Sequence, residues 1–263
     1  MLPSWLVRYA RARTWQPFHI KMHHLAQIGM NYWGGAEVGA SGELHALKHA
    51  SELLKQEPSP VVFDVGANSG DFTLAALDAF GPNVRIHAFE PSSVAAQLFE
   101  QKVDVPLQSG QVGLRRFGFS DTAGSATLHS PTSGSPIASL HPTTFEIDGR
   151  ELVHESIELR TLDAFCSEHS IERIHYLKVD TEGHEFAVLL GAKRMIGEGR
   201  VNIIQFEFGE YHIDSRVFFR DLFLFLSPQY HIHRILPGGL WPLKEYQPEL
   251  EVFRTANYLA IAK

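Results

Sequence analysis

The sequence predicts an α/β fold in which one doubly wound domain carries helices on both faces of a mostly parallel sheet. Three observations indicate this class. The apolar stretch Val61–Val65 runs into a glycine-containing loop and then into helical periodicity. Residues 84–90 are rich in strand formers and end just before a helix start. The same alternation returns through residues 157–262. We therefore expect a main sheet of seven strands with intervening helices, with any further short strands outside it.

The predicted elements follow the chain in order. Residues 1–57 form an N-terminal helical extension or cap, with one apolar helical face at 43–55, and residues 58–263 form the main domain. The strands expected after the first two lie at residues 112–119, 125–129, 157–159, 174–180, 201–207, 230–236 and 257–262, and the main helices at 71–80, 93–98, 162–169, 181–191 and 217–226. Residues 131–144 contain too many helix and strand breakers to form an element, and fit a mobile loop over a site or a passive excursion.

Composition narrows the class of protein. The 263 residues carry a formal net charge of −7, which disfavours a broad electropositive surface for nucleic acid. The lone Cys166 excludes an intramolecular disulfide and a thiolate metal cluster. No apolar run approaches the roughly 18 residues of a membrane span, and no secretory signal pattern is present. We expect a cytoplasmic protein without a membrane span, and its oligomeric state stays open.

The first strand and its loop predict a ligand site. Asp64 interrupts the apolar strand close to its carboxyl end, where a carboxylate needs a partner. Gly66 and Gly70 let the backbone turn sharply and approach a ligand, and the next helix points its positive end at the same place. Glu90 ends the second strand 20 residues after Gly70, the spacing expected for an acid that binds ribose hydroxyls.

The loop chemistry distinguishes between nucleotide ligands. The segment Gly66-Ala-Asn68-Ser-Gly70 has asparagine where a dinucleotide loop has its second glycine, which lets the backbone approach a pyrophosphate. A nicotinamide cofactor is therefore disfavoured. An adenosyl ligand without phosphates fits better, since its amino-acid tail would use the loop N–H groups and nearby acids. These features indicate S-adenosyl-L-methionine.

Five ordered motifs carry a family resemblance. They are Phe63-Asp-Val-Gly-Ala-Asn-Ser-Gly70, Phe89-Glu-Pro91, Thr161-Leu-Asp163, Leu177-Lys-Val-Asp-Thr-Glu-Gly-His-Glu185 with Val188-Leu-Leu-Gly-Ala192, and Asn257-Tyr-Leu-Ala260. Together they resemble the FkbM-type S-adenosylmethionine-dependent methyltransferases over roughly residues 41–262. The resemblance implies a Rossmann-like class I methyltransferase fold with an antiparallel last strand. It also implies methyl transfer, most often to a hydroxyl of a sugar or natural product.

The resemblance also implies roles for single residues. Asp64, Gly66, Asn68 and Gly70 would hold the methionine moiety, with Thr73 in the helix that follows, and Glu90 would hold the ribose. Ser120 and Asp121 would meet the adenine, although Asp121 fits an ordinary turn equally well.

The segment at the end of the strand predicted at 174–180 is the candidate catalytic segment. Asp180, Glu182 and His184 follow a strand end, where ligands bind in open α/β sheets. Methyl transfer from a sulfonium requires positioning of the acceptor and assistance from a base, for which a histidine or carboxylate suffices. The alternative is that these residues only cap the next helix.

A metal is not part of this interpretation. Asp180 and Glu207 end strands expected to be neighbours, so they are kept as an alternative pair of Mg²⁺ ligands. The sequence thus favours an O-methyltransferase for a small-molecule or glycan hydroxyl. A silent S-adenosylmethionine-binding module, a methyltransferase acting on nucleic acid or another acceptor, and a nicotinamide oxidoreductase are the alternatives.

Overall fold

The computed structural model describes residues 10–33, 39–141 and 151–263. Within these ranges the strands are Val61–Val65 (β1), Arg85–Phe89 (β2), Val112–Arg115 (β3), Gly118–Phe119 (β4), Gly124–Ser130 (β5), Val153–Arg160 (β6), Ile174–Val179 (β7), Val201–Phe208 (β8), Tyr230–Leu236 (β9), Gly239–Leu243 (β10) and Ala256–Ala262 (β11).

The α-helices of the same ranges are Gln16–Gly29 (α1), Glu43–Leu53 (α2), Asp71–Phe80 (α3), Ser93–Lys102 (α4), Asp104–Gln108 (α5), Leu162–Glu168 (α6), Glu185–Leu190 (α7), Lys193–Gly197 (α8), Tyr211–Ser215 (α9) and Phe219–Leu226 (α10). The described part of the chain has no helix that is long and apolar enough to cross a membrane.

The main sheet has eight strands in the order β10-β9-β11-β8-β7-β1-β2-β3. The five strands from β8 to β3 are parallel, whereas β11 runs antiparallel to both β8 and β9. The chain order reverses between β1 and β7, so the carboxyl ends of these two strands open onto one crevice, the usual ligand position in such sheets. The α/β class and the antiparallel last strand are confirmed.

The sheet is buried on both faces. One apolar cluster packs around Phe63, Phe165 and Phe206, and a second around Val62, Phe72 and Leu47. Every residue of β7 is buried, as expected for a strand that helices cover on both faces.

Three element predictions differ from the structure. The stretch expected as one strand at 112–119 divides into β3 in the main sheet and β4 in a small sheet of order β4-β6-β5. A β9–β10 hairpin adds an eighth strand. The helix expected from residue 181 begins only at Glu185, because Glu182 and Gly183 have φ values of +51° and +96°, outside the helical region.

The N-terminal region contains two different helices. Helix α1 buries none of its residues, while helix α2 buries Ala46, Leu47 and Ala50 against the sheet domain. The glycine-rich sequence at 34–43, with Ser41 before the helix, predicts a loop, of which residues 34–38 lie outside the described residues. The domain division at residue 57 stays a prediction.

Candidate active site

The glycine loop after β1 is held in a conformation that side chains disfavour. Gly66 has a φ of +82°, and a Cβ at this position would lie 1.8 Å from the carbonyl oxygen of Asp180. Gly70 has a φ of +91°, and its Cβ would lie 2.6 Å from Val103. Asn68 takes a φ of +44°, which asparagine tolerates better than most residues. Glycine is thus required where the loop passes the end of β7.

Asp64 lies beneath this loop and is fully buried. Its Oδ2 accepts a 2.7 Å hydrogen bond from the Thr73 hydroxyl, and its Oδ1 lies 4.0 Å from the Lys178 ammonium. Burial raises the pKa of the Asp64 carboxyl, while Lys178 and Thr73 oppose that shift. Asp64 and Thr73 therefore support the loop from below, as a buried, polar link between β1 and α3.

Glu90, at the end of β2, faces the same crevice. It accepts 2.8 Å hydrogen bonds from the backbone N–H groups of Asn68 and Ser92. Burial raises the pKa of its carboxyl to about 7, although these two bonds favour the charged form. Each carboxylate oxygen keeps a free lone pair. Glu90 is thus able to accept hydrogen bonds from a vicinal diol while fixing the loop.

A first pocket, which opens to solvent, lies over these residues. Gly66, Asn68 and Glu90 form its polar side. Its apolar side includes Phe89, Phe119, Leu128, Ile157 and Leu159, drawn from β2 and from the small sheet. A polar edge beside a flat apolar chamber matches a ribose with its attached base.

His184 lies in the wall of the first pocket. Its Nε2 is 3.0 Å from the Ser120 hydroxyl, and its Nδ1 is 3.4 Å from Nε2 of His141. Burial, with His141 adding to it, lowers the pKa of His184, so the ring is neutral at pH 7. Ser120 also lies 3.1 Å from Asp121 Oδ1, and Asp121 itself is exposed. The ring of His184 therefore contacts Ser120 and His141, and it shares the first pocket with Asp180 and Glu182.

The carboxylates that follow β7 and end β8 lie close together. Asp180, Glu182 and Glu207 each offer one oxygen within 4.8 Å of the others. Lys178 pairs with Asp180 at 2.9 Å. Burial first, and then Asp180, raises the pKa of both Glu182 and Glu207 well above the ordinary value.

These three carboxylates border a second pocket, which also opens to solvent. Gly66, Asn68, Pro136, Asp180 and Glu182 line both pockets. The two chambers therefore meet at the ends of β1 and β7. Pro136 comes from the loop predicted at 131–144, whose described part, up to residue 141, lies against the site, while residues 142–144 lie outside the described residues.

Three buried polar residues, one of which lines the second pocket, were not assigned functions from the sequence. Glu43, at the start of α2, accepts a 2.5 Å hydrogen bond from Gln205, which in turn accepts a short hydrogen bond from Tyr176. Glu43 lines the pocket, and burial raises the pKa of its carboxyl. The contact between Glu43 and a strand residue 162 positions away left no local signal in the sequence.

Glu185 stabilises the turn that carries Glu182. It accepts hydrogen bonds from the backbone N–H groups of Thr181 and Gly183 at 2.6 and 3.0 Å, and its Oε2 lies 3.0 Å from His212. Burial raises the pKa of Glu185, but His212 and the backbone donors outweigh this effect, and the net pKa is lowered. The buried carboxylate is therefore charged, and it holds Glu182 in its left-handed conformation.

Comparison with known proteins places this site in context. The family described as the Methyltransferase FkbM domain matches residues 64–233. The chain is 26% identical over 198 residues to 2-O-methyltransferase NoeI of Sinorhizobium fredii (strain NBRC 101917 / NGR234), covering 71% of this chain and 79% of the relative. It is 31% identical over 169 residues to the 31-O-demethyl-FK506 methyltransferase FkbM of Streptomyces tacrolimicus. That second match covers 56% of this chain and 64%, less than two thirds, of the relative.

A solved structure, the methyltransferase FkbM from Methylobacillus flagellatus KT, aligns with a TM-score of 0.49 at 18% identity, covering 77% of this chain and 44% of that chain.

The sheet order, the crevice and the family match define an S-adenosylmethionine-dependent methyltransferase with a class I fold. The chain belongs to the FkbM family of methyltransferases, since the family match covers more than half of it. The resemblance based on the five sequence motifs is therefore confirmed.

Proposed function

We propose that this enzyme transfers a methyl group from S-adenosylmethionine to a hydroxyl oxygen of a sugar, a glycan or a small natural product. The observation that carries the proposal is the shared wall of the two pockets. Asp180 and Glu182 border both chambers, so a donor in the first pocket and an acceptor in the second would meet beside two carboxylates.

The described residues fit the cofactor. Bound S-adenosylmethionine supplies a methyl group that its sulfonium has already activated. Glu90 would accept hydrogen bonds from the ribose hydroxyls, and the apolar side of the first pocket, with Ser120 and Asp121 at its edge, would receive the adenine. The left-handed loop from Gly66 to Gly70, supported by Asp64 and Thr73, would bring backbone N–H groups to the methionine carboxylate.

The second pocket suits an acceptor rich in hydroxyl groups. Its polar lining includes the carboxyls of Glu43, Asp180, Glu182 and Glu207 and a single lysine, Lys178. Carboxylates accept hydrogen bonds from hydroxyls and repel phosphates. Two relatives are named for O-methylation, at a 2-O and at a 31-O position, which supports oxygen as the receiving atom.

We assign Glu182 as the base that accepts the proton of the acceptor hydroxyl. In the transfer the C–S bond of the sulfonium breaks and a C–O bond forms, while the hydroxyl proton passes to a carboxylate. Burial raises the pKa of Glu182 well above its usual 4.5, which brings its proton affinity closer to that of a useful base. Asp180, paired with Lys178, would position the acceptor, and His184 would orient Ser120 at the adenine edge.

Labelled methyl transfer tests this function. We expect wild-type protein to methylate oxygen in a panel of sugars, glycans and polyketide-like alcohols. Glu182→Gln should lower kcat by about 10²- to 10⁴-fold, the usual contribution of a general base, with an unchanged Kd for S-adenosylhomocysteine. Glu210→Gln is the control, because Glu210 pairs with Arg254 outside both pockets. Label appearing only on nitrogen or on nucleic acid, or full activity in Glu182→Gln, would contradict the proposal.

A further inference from the structure

Three carboxylates lie close together at the wall shared by the two pockets, whereas a single general base would need only one. Strands β7 and β8 are parallel neighbours that pair Val179 with Phe206. Asp180 and Glu207 follow this last pair directly, so the two residues lie next to each other at the carboxyl ends of the two strands. Glu182 completes the group, with one oxygen of each residue within 4.8 Å of the other two.

Glu207 is a buried carboxylate that has no hydrogen-bond partner among residues 10–33, 39–141 and 151–263. Glu207 is only 8% exposed, and it lines the second pocket. Among the described residues it receives no hydrogen bond, although Asp64, Glu43 and Glu185 each receive at least one. A buried charge left unpaired is costly. A cation that enters the pocket would offset this cost when the carboxyl is ionised.

The charge balance indicates what would enter. Three carboxylates against the one ammonium of Lys178 give a net charge of −2 when all are ionised. Lys178 itself is directed to Asp180 and Asp64, at 2.9 and 4.0 Å, rather than to Glu207. Glu43, another carboxyl, also lines the second pocket. A divalent cation matches this deficit better than a neutral ligand.

We infer that Asp180, Glu182 and Glu207 bind one divalent cation that prefers oxygen ligands, such as Mg²⁺ or Mn²⁺, at the boundary between the two pockets. Three carboxylate oxygens leave about three positions of an octahedron for water and an acceptor hydroxyl. A cation there would orient the hydroxyl and favour its deprotonation. The second oxygen of Glu182 would still be free to take the proton.

Binding of the ion does not depend on the proposed function; only its role in orienting the acceptor does. The test is therefore made first without acceptor. Purified full-length protein, stripped with EDTA, is titrated with Mn²⁺ and followed by electron paramagnetic resonance. We expect one site, and at least about tenfold weaker Mn²⁺ binding in Glu207→Gln and in Glu182→Gln, a typical effect of altering a metal site. Glu210→Gln should bind like the wild type.

The ammonium group of the cofactor is the other cation that could bind to these three carboxylates in place of a metal ion. Repeating the titration with saturating S-adenosylhomocysteine separates the two, because a true metal site keeps its Mn²⁺ affinity when the cofactor product is bound. Circular dichroism confirms that each variant is folded. The inference is overturned if Mn²⁺ does not bind, if the two glutamine variants bind it like wild type, or if S-adenosylhomocysteine displaces it.

The role in catalysis has its own measurement. Methyl transfer should fall after EDTA treatment and recover on adding Mg²⁺, whereas Glu207→Gln should need a higher Mg²⁺ concentration for half-maximal rate. If Mn²⁺ binds as described but EDTA leaves the rate unchanged, the orienting role is wrong while methyl transfer itself stands.

Discussion

At the residue scale, the close contact between Gly66 and Asp180 joins the cofactor loop to the candidate catalytic segment. The Gly66 backbone approaches the Asp180 carbonyl so closely that no side chain fits between them. The N–H of Asp180 in turn donates to the Val65 carbonyl at 3.0 Å. Donor and acceptor halves of the site are therefore fixed relative to each other by backbone atoms.

This contact gives a matched pair of substitutions. Gly66→Ala should destabilise the fold by several kcal/mol and abolish binding of S-adenosylhomocysteine, because its Cβ would overlap Asp180. Gly81→Ala has nearly the same φ, +79°, but nothing within 4 Å of its Cβ, and should cost only the backbone strain, about 1–3 kcal/mol. Urea unfolding and calorimetry measure both effects. Equal losses in the two variants would show that backbone strain alone, without the overlap, decides the outcome.

Glu90 allows a similarly direct test of ribose recognition. Glu90→Gln should weaken binding of S-adenosylhomocysteine by about 10- to 100-fold, as expected for losing hydrogen bonds to a charged group. A cofactor analogue lacking one ribose hydroxyl should bind the wild type more weakly, yet lose little further affinity on going to the variant. Calorimetry on the four combinations gives the coupling. Additive losses would place the ribose away from Glu90.

The sequence located some of these residues better than others. Asp64, Glu90 and Asp180 could be predicted because acids that end apolar strands stand out against their neighbours. The link from Glu43 to Gln205 could not, because it joins a helix to a strand that is distant in sequence. The direction in which His184 points also depended on the small sheet, since Ser120 follows β4.

At the element scale, helix α2 is packed into the sheet domain by its apolar face and by Glu43. Leu47 is fully buried, while Leu44 on the same helix is 40% exposed. Leu47→Ala should therefore lower the free energy of unfolding by about 2–5 kcal/mol, and Leu44→Ala by well under 1 kcal/mol. Denaturant titration of both variants measures the difference. A small effect of Leu47→Ala would mean that α2 adds little to the stability of the sheet domain.

Elements with clear periodicity were predicted close to their observed bounds. Strand β9 was predicted at 230–236, the bounds observed, and α2 was predicted from residue 43. The β9–β10 hairpin was missed, because β10 contains Pro242, which argues against a strand except at an edge, where β10 lies. The late start of α7 was missed because a non-glycine residue, Glu182, takes a left-handed conformation. The hydrogen bonds that Glu185 accepts from Thr181 and Gly183 hold that turn.

At the scale of the whole molecule, the crevice concentrates carboxyls whose pKa is raised by burial. A raised pKa means that the folded state holds the proton more tightly than the unfolded state. The stability that such a carboxyl contributes is fully present below its unfolded-state pKa of about 4.5. It is lost as pH rises through the folded-state pKa. Glu90, with a pKa of about 7, and Glu182 and Glu207 all act in this direction.

The upward direction of these pKa shifts determines how the free energy of unfolding changes with pH. Buried histidines such as His87, whose pKa burial lowers to about 4, lose stability only below their unfolded value of 6.5. Between pH 6.5 and 8 the carboxyls should therefore dominate, and metal-free wild type should become less stable. Glu207→Gln should show a slope smaller by up to about 1.4 kcal/mol per pH unit. Identical slopes in urea titrations, made in EDTA, would contradict the raised pKa of Glu207.

The central claim is that the two pockets are the donor and acceptor halves of one methyl transfer site. The most direct measurement is a crystal structure with S-adenosylhomocysteine bound. The account predicts the ribose hydroxyls on the Glu90 carboxylate, the adenine against Phe89 and Phe119, and the sulfur beside Asp180, facing the second pocket. A ligand bound with its sulfur directed away from Asp180 and Glu182, or bound outside the first pocket, would contradict the claim.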